Sequence, residues 1–118
     1  MAALSRGLPP CNLTYVSPGN YRDEKQRLWM VVSHEFTPDN THNWPGDSLI
    51  IRMQQVSKVS QEAPSSVSPC LAYIPTKWVQ YSLILYLGSD NRFWKLMDHI
   101  QIGGREQLDL KLDFSEGL

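Results

Sequence analysis

The sequence predicts a small, mainly β domain: an antiparallel sandwich or barrel of about six to seven strands with at most one or two short helices. Successive segments with the composition of strands alternate with turns rich in Gly, Pro, Asn and Asp. Residues 107–114 alternate apolar and charged side chains, which is typical of a strand with one buried face. Hydrophobic residues make up 42% of the chain and charged residues 19%, so one core can form. An α+β class stays open as the alternative.

The 118 residues match one domain, for which roughly 100–150 residues are typical. Residues 1–10 are predicted to form a flexible N-terminal arm that ends at Pro9-Pro10, and residues 11–118 a single globular, β-rich domain. Residues 37–48 and 60–69 are predicted to be loops, because proline, glycine and short polar side chains dominate them. No residue pattern in the chain resembles a family closely enough to name it.

The first half of the chain contains three predicted strands, at residues 11–16, 28–36 and 49–59. Residues 17–20 have the composition of a turn. The charged residues 21–27 fit either one helical turn or a solvated extension of a strand. After Gln55 the apolar positions change phase, which indicates a β-bulge or the end of the strand.

The densest apolar region, residues 78–104, is the segment that the rest of the chain must cover. Residues 78–87 are predicted as one central strand, because both of their alternating faces are apolar. One of these faces carries Tyr81, Leu83, Leu85 and Leu87. Residues 88–91 then reverse the chain. Residues 93–102 fit a helix or a strand, and the apolar alternation just before two glycines favours the strand.

Two further predicted strands frame this region. Residues 70–74 precede it and end at Pro75. Residues 107–114 follow it and direct one alternating face toward the core, formed by Leu108, Leu110, Leu112 and Phe114. The opposite, charged face of this last strand would protect a sheet edge from unwanted pairing.

Charge and cysteine content exclude several classes of protein. The formal net charge of −1 argues against binding polyanions through bulk charge. Cys11 and Cys70 are too few for a disulfide framework and lack the spacing of a zinc site. We expect reduced thiols and a cytoplasmic or nuclear location, with a single bridge between neighbouring strands as the alternative. The sequence shows no signal peptide, lipidation motif or membrane span.

No group of residues has the pattern of a catalytic or metal site. His34, His42 and His99 lack the spacing of zinc ligands on one helix face. No serine lies in a glycine-flanked nucleophile elbow, and nothing near the cysteines would lower a thiol pKa. We therefore expect a protein that is not an enzyme and that needs no cofactor and no metal.

A tryptophan in an otherwise polar loop predicts a site for a protein partner. Trp44 either covers the core or projects as an apolar anchor, with Asp39, His42 and Asp47 as its polar rim. An edge strand offers a second route, because it can pair with a second copy or with an extended peptide. The sequence thus favours a non-enzymatic binding or assembly module that binds a protein partner or itself. Viral accessory or structural proteins and subunits of larger complexes are modules of this kind.

The alternative is a small domain that binds single-stranded nucleic acid. Exposed aromatic rings stack on bases, and neighbouring lysines or arginines hold the phosphates. The residues that could form such an aromatic-basic face are Lys77, Trp78, Tyr81, Arg92, Trp94 and Lys95. The competing interpretation is that Trp78, Phe93 and Trp94 only pack the core.

Overall fold

Eight antiparallel strands close into a barrel in the computed structural model, which describes residues 3–4, 8–37, 48–58 and 68–113. The strands are, in chain order, β1 (Ala3–Leu4), β2 (Asn12–Ser17), β3 (Asn20–Asp23), β4 (Leu28–Thr37), β5 (Ser48–Val56), β6 (Lys77–Ser82), β7 (Leu85–Gly88), β8 (Phe93–Ile102) and β9 (Arg105–Asp113). The described residues include one short helix, α1 (Ser68–Leu71). The predicted class is confirmed, although the ring has more strands than the sequence predicts.

The order of strands around the barrel is β8, β7, β6, β2, β3, β4, β5 and β9, and β9 pairs again with β8. This last pairing closes the ring and places Trp94 opposite Leu112. Every strand of the described ring therefore has two neighbours, so the expected edge strand is absent from it. Strands that extend past a shorter neighbour still leave some backbone open. The far half of β8 extends past β7 in this way. Part of it is covered by β1, in which Ala3 pairs with Gln101.

Three tryptophans and two tyrosines fill the barrel together with aliphatic side chains. Trp78 lies between Tyr21, at 4.9 Å between ring centroids, and Trp94, at 5.5 Å and nearly perpendicular. The strand at residues 107–114 is confirmed by β9, whose Leu108, Leu110 and Leu112 are buried as predicted. Phe114 lies outside the described residues. Fully buried aromatic rings of this size supply much of the hydrophobic stabilisation of a small domain.

The prediction of a single central strand at residues 78–87 is wrong. The segment forms two strands, β6 and β7, joined by a tight turn at Leu83 and Ile84. The register shifts between Gln80 and Ser82. Tyr86 keeps the inward phase of Trp78 and points into the core, while Leu83, in the turn, is exposed. A leucine-isoleucine turn has none of the residues that normally mark a reversal, which is why the apolar run hides it.

The strand predicted at residues 70–74 is also wrong. Helix α1 and a turn occupy this segment, with the Tyr73 amide donating to the carbonyl of Cys70 at 3.0 Å. Residues 21–27, for which two structures fitted the sequence, form the end of β3 and a turn in which Gln26 has a φ of 67°. Residues 93–102 form a strand, β8, as the sequence favoured.

Two buried tyrosine hydroxyls fasten irregular segments to the barrel. Tyr86 donates to the carbonyl of Pro10 at 2.6 Å, and Tyr21 donates to the carbonyl of Pro75 at 2.9 Å. Burial raises the pKa of both hydroxyls above the usual range, so they remain donors. The segment before β2 and the segment before β6 are thereby held at fixed positions.

Candidate interaction surface

The residues predicted to anchor a partner, Trp44 with Asp39, His42 and Asp47, lie outside the described residues. Their role stays a prediction, and a surface must be sought on the described part of the barrel. The strands β6, β7 and β8 offer one, because their outward side chains are unusually apolar.

The predicted aromatic-basic face does not form as a unit. Trp78 and Trp94 are fully buried in the barrel, which corrects the prediction that they stack on bases and confirms that they pack the core. Phe93, which the same interpretation assigns to the core, is instead exposed. The other four predicted residues do reach the surface: Lys77, Tyr81 and Lys95 are exposed, and Arg92 is half-buried.

An apolar surface, here called the apolar face, covers the outside of β6, β7 and β8. Val79, Leu87 and Phe93 stand directly opposite one another across the three strands. The ring of Tyr81 packs edge-on against Phe93, with 5.1 Å between centroids. At the end of the hairpin, the side chain of Leu83 is 80% exposed. The full set is Val79, Tyr81, Leu83, Ile84, Leu85, Leu87 and Phe93.

Strand alternation explains why these side chains face solvent. Trp78, Tyr86 and Trp94 occupy the inward positions of the three strands, so the residues next to them must point outward. The outward positions of a one-sided antiparallel sheet are normally polar. A contiguous apolar surface in such positions marks an interaction site more often than a packing requirement.

Two lysines face each other beside the apolar face. Lys95 on β8 is directly opposite Lys111 on β9 and also opposite Leu85 on β7. Lys95 follows Phe93 by two positions and therefore lies on the same side of the strand. Within the described part of the chain, neither lysine forms an ion pair with a carboxylate. Like charges directly opposite one another in a sheet are destabilising.

A second cluster of charged residues is structural. Arg27 donates to the buried carboxylate of Asp23 at 2.8 Å and also pairs with Glu106. The carboxylate of Glu106 in turn accepts a hydrogen bond from Nε2 of His99 at 2.6 Å. The chain of contacts ties the turn after β3 to the hairpin of β8 and β9. Each of these groups has its partner within the fold, so the cluster does not point to an external ligand.

Among the described residues, no group of three or more His, Cys, Asp or Glu residues could hold a metal ion. No helix in the same part of the chain is long and apolar enough to cross a membrane. A shallow depression of about 300 Å³ over β2 and β3 is lined by residues that include Thr14, Arg22 and Glu24. Nothing in that depression pairs a nucleophile with a base in the way that catalysis requires.

Sequence reasoning missed most of the apolar face. It identified Tyr81 and Lys95 and placed Lys111 on the water-facing side of the last strand, but it assigned Phe93 to the core and did not single out Val79 as a surface residue. A signal was present, because residues 83–87 contain more consecutive apolar residues than one buried face can hold. Which of them point outward is decided by the turn at Leu83 and Ile84 and by the pairing of β7 with β6 and β8.

Comparison with known proteins places this barrel among solved structures. The crystal structure of MTCP-1, described as involved in T cell malignancies, superposes with a TM-score of 0.68 at 30% identity and covers 94% of this chain and 96% of its own. The solution structure of the oncoprotein p13MTCP1 gives the same TM-score and identity, with 97% and 94% covered.

Sequence comparison gives the same result. The model of the TCL1/MTCP1 family matches residues 1–115. The human T-cell leukemia/lymphoma protein 1B is 31% identical over 92% of this chain and 91% of its own length. The human protein p13 MTCP-1 is 30% identical over 95% and 96%, and the mouse protein TCL1B2 is 32% identical over 90% and 92%. These names refer to leukemia, lymphoma and an oncoprotein rather than to an enzyme.

Proposed function

The chain belongs to the TCL1/MTCP1 family, and from this we propose that it is a non-catalytic protein-interaction module that docks its partner on the apolar face. The observation that carries the proposal is the outward position of Val79, Tyr81, Leu83, Ile84 and Phe93 on adjoining strands. Exposed apolar side chains contribute to binding when a partner removes them from water, and tyrosine is enriched among the residues that dominate such interfaces.

The face also has the rigidity that a docking surface needs. Its strands are anchored from inside by Trp78, Tyr86 and Trp94, all fully buried. The contact between Tyr81 and Phe93 holds two aromatic rings in place before a partner arrives. Side chains that are already ordered lose less conformational entropy on binding, which favours affinity.

An anchor at Trp44 stays a prediction, and so does self-association. Stacking on nucleic acid loses support, since two of the three aromatic rings assigned to it are in the core. The exposed thiol of Cys11, which no disulfide joins to Cys70, supports an intracellular location.

Selection of peptides from a random phage-displayed library tests the proposal. The library is panned on the wild-type protein, and the selected peptides are measured against a variant with Tyr81→Ser, Leu83→Ser and Phe93→Ser. We expect affinity to fall by at least about tenfold, because truncating interface hot spots costs about 2 kcal/mol or more. An isotope-labelled sample should show the largest chemical-shift changes on β6, β7 and β8.

The chain provides a matched control. Leu8, Val16 and Ile102 are also exposed hydrophobic residues, and they lie outside the apolar face. Changing these three to serine removes a similar number of apolar groups and should leave peptide binding unchanged. Peptides that bind the face variant as tightly as the wild type would contradict the proposal. Thermal unfolding of both variants shows whether the fold is retained.

A further inference from the structure

Building on the proposed function, we infer that the apolar face recognises an acidic protein segment, in which apolar side chains are flanked by aspartate or glutamate. Lys95 and Lys111 would be the residues that bind the carboxylates of this segment. Their direct opposition across β8 and β9, at the border of the apolar face, carries the inference.

The lysine pair is poorly compensated within the barrel. Of the two carboxylates that flank Lys111 along β9, Asp109 accepts from Arg52 at 3.0 and 3.2 Å. The other, Asp113, has an interaction of its own. Among the described residues, the ion pair of Asp109 is with Arg52 and not with Lys95 or Lys111. A partner carboxylate placed between the two ammonium groups would relieve their repulsion and gain two favourable charge contacts.

Two further basic residues lie around the face, near the exposed carboxylate of Asp90 in the turn that precedes Arg92. Lys77 is exposed at the start of β6, two positions before Val79 on the same side, and Arg92 precedes Phe93. An apolar surface with a basic border is complementary to an apolar segment with an acidic border. The same border opposes a symmetric pairing of two copies through this face, because it would bring like charges together.

The composition of the face favours a polypeptide over a nucleic acid. Its exposed and half-buried members are mostly aliphatic, namely Val79, Leu83, Ile84, Leu85 and Leu87. Bases stack on flat aromatic faces, and the two aromatic rings present, Tyr81 and Phe93, pack edge-on against each other. Aliphatic side chains fit the apolar side chains of a peptide.

The peptides selected on wild-type protein test the inference through their composition. Those that map to the apolar face should be enriched in Asp and Glu relative to the library. Replacing the acidic residues of the tightest peptide by Gln should weaken its binding. The protein variant Lys95→Gln with Lys111→Gln should bind the original peptide about three- to tenfold more weakly, as expected for two exposed charge pairs.

A charge swap and a matched control make the test specific. Lys95→Glu with Lys111→Glu should prefer a version of the peptide in which lysines replace the acidic residues. Lys25→Gln with Lys58→Gln changes the net charge equally at exposed positions elsewhere and should leave binding unchanged. Without any peptide, the Lys95→Gln and Lys111→Gln variant should melt about 1–5 °C higher, because the opposed like charges are removed.

Each of the remaining outcomes would contradict the inference, the proposed function or both. Peptides that bind the apolar face without acidic enrichment would overturn this inference and leave the proposed function standing. Peptides that bind elsewhere would overturn both. A dimer in light scattering that the Tyr81, Leu83 and Phe93 variant abolishes would show that a second copy occupies the face. A single-stranded oligonucleotide that competes with the peptide would replace the protein partner by nucleic acid.

Discussion

The indole Nε1 of Trp29 donates a hydrogen bond of 3.0 Å to Oδ2 of Asp23 inside the barrel wall. The Asp23 side chain is completely buried and also accepts from Arg27 Nε at 2.8 Å and from two backbone amides of the following turn. A buried carboxylate is stable only when it is paired and hydrogen-bonded in this way. Asp23 therefore joins the aromatic core to the turn after β3.

Removing the carboxylate of Asp23 should strongly destabilise the fold. Asp23→Ala leaves the indole of Trp29, Arg27 and two backbone amides without their acceptor, and we expect a loss of about 3 kcal/mol or more in the free energy of unfolding. Asp23→Asn keeps one acceptor oxygen and should cost less. Urea unfolding followed by tryptophan fluorescence measures both. Equal losses for the two variants would show that the acceptor oxygen retained in asparagine contributes no stability.

The same carboxylate predicts a loss of stability in acid. Burial alone would raise the pKa of Asp23, but hydrogen bonds from Trp29 and Arg27 and the charge of Arg27 outweigh it and hold the pKa below its usual range. The unfolded chain thus takes up this proton first, so the contribution is complete above about pH 5 and declines as the pH falls below about 4. The melting temperature should decrease less steeply in acid for Asp23→Asn. Identical pH profiles would refute this origin of the acid sensitivity.

The three buried tryptophans should respond differently to replacement by phenylalanine. Trp29 uses its N–H for Asp23, whereas the N–H groups of Trp78 and Trp94 have no partner among the described residues. All three changes remove a similar volume, but only Trp29→Phe also deprives a buried carboxylate of a donor. We expect Trp29→Phe to cost about 1–3 kcal/mol more than Trp78→Phe or Trp94→Phe. The midpoints of denaturant unfolding, compared at an unchanged m-value, measure this difference in stability. Equal midpoint shifts for the three variants would contradict the prediction.

The two cysteines should differ in reactivity. Cys11 is exposed, while burial raises the pKa of the Cys70 thiol to about 11. The thiolate is the reactive form, so Cys70 should be inert in the native protein. A thiol-reactive chromophore at pH 8 should titrate one group rapidly and the second only after unfolding. Cys11→Ser should remove the rapid phase, and two rapid thiols would show that Cys70 is accessible.

Much of the barrel could be predicted because most of its strands have one buried face. The alternation at residues 107–114 corresponds to the inward leucines of β9, and the segment at 28–36 corresponds to β4. Closure of the ring could not be predicted, because the pairing of β8 with β9 and of β2 with β6 depends on contacts between distant segments. The sequence shows strands but not their neighbours.

The apolar face could not be predicted from the sequence for a related reason. Phe93 and Trp94 are adjacent and both aromatic, yet one is exposed and the other fully buried. Which of them turns inward depends on the register against β7 and β9, and not on either residue alone. Lys95 and Lys111 are likewise sixteen positions apart in sequence and meet only across a sheet.

Closure of the ring also bears on how fast the protein can fold. Ser48 pairs with Asp113, and Asn12 pairs with Val79, so residues more than half the chain apart must meet. Proteins dominated by such distant pairings fold in about milliseconds to seconds, far more slowly than helical bundles. Until the last seam forms, β8 and β9 lack one neighbour or the other, and the nascent chain exposes open strand edges during that interval. The described ring, whose strands all have two neighbours once it is folded, is therefore most vulnerable to aggregation while the chain is being made.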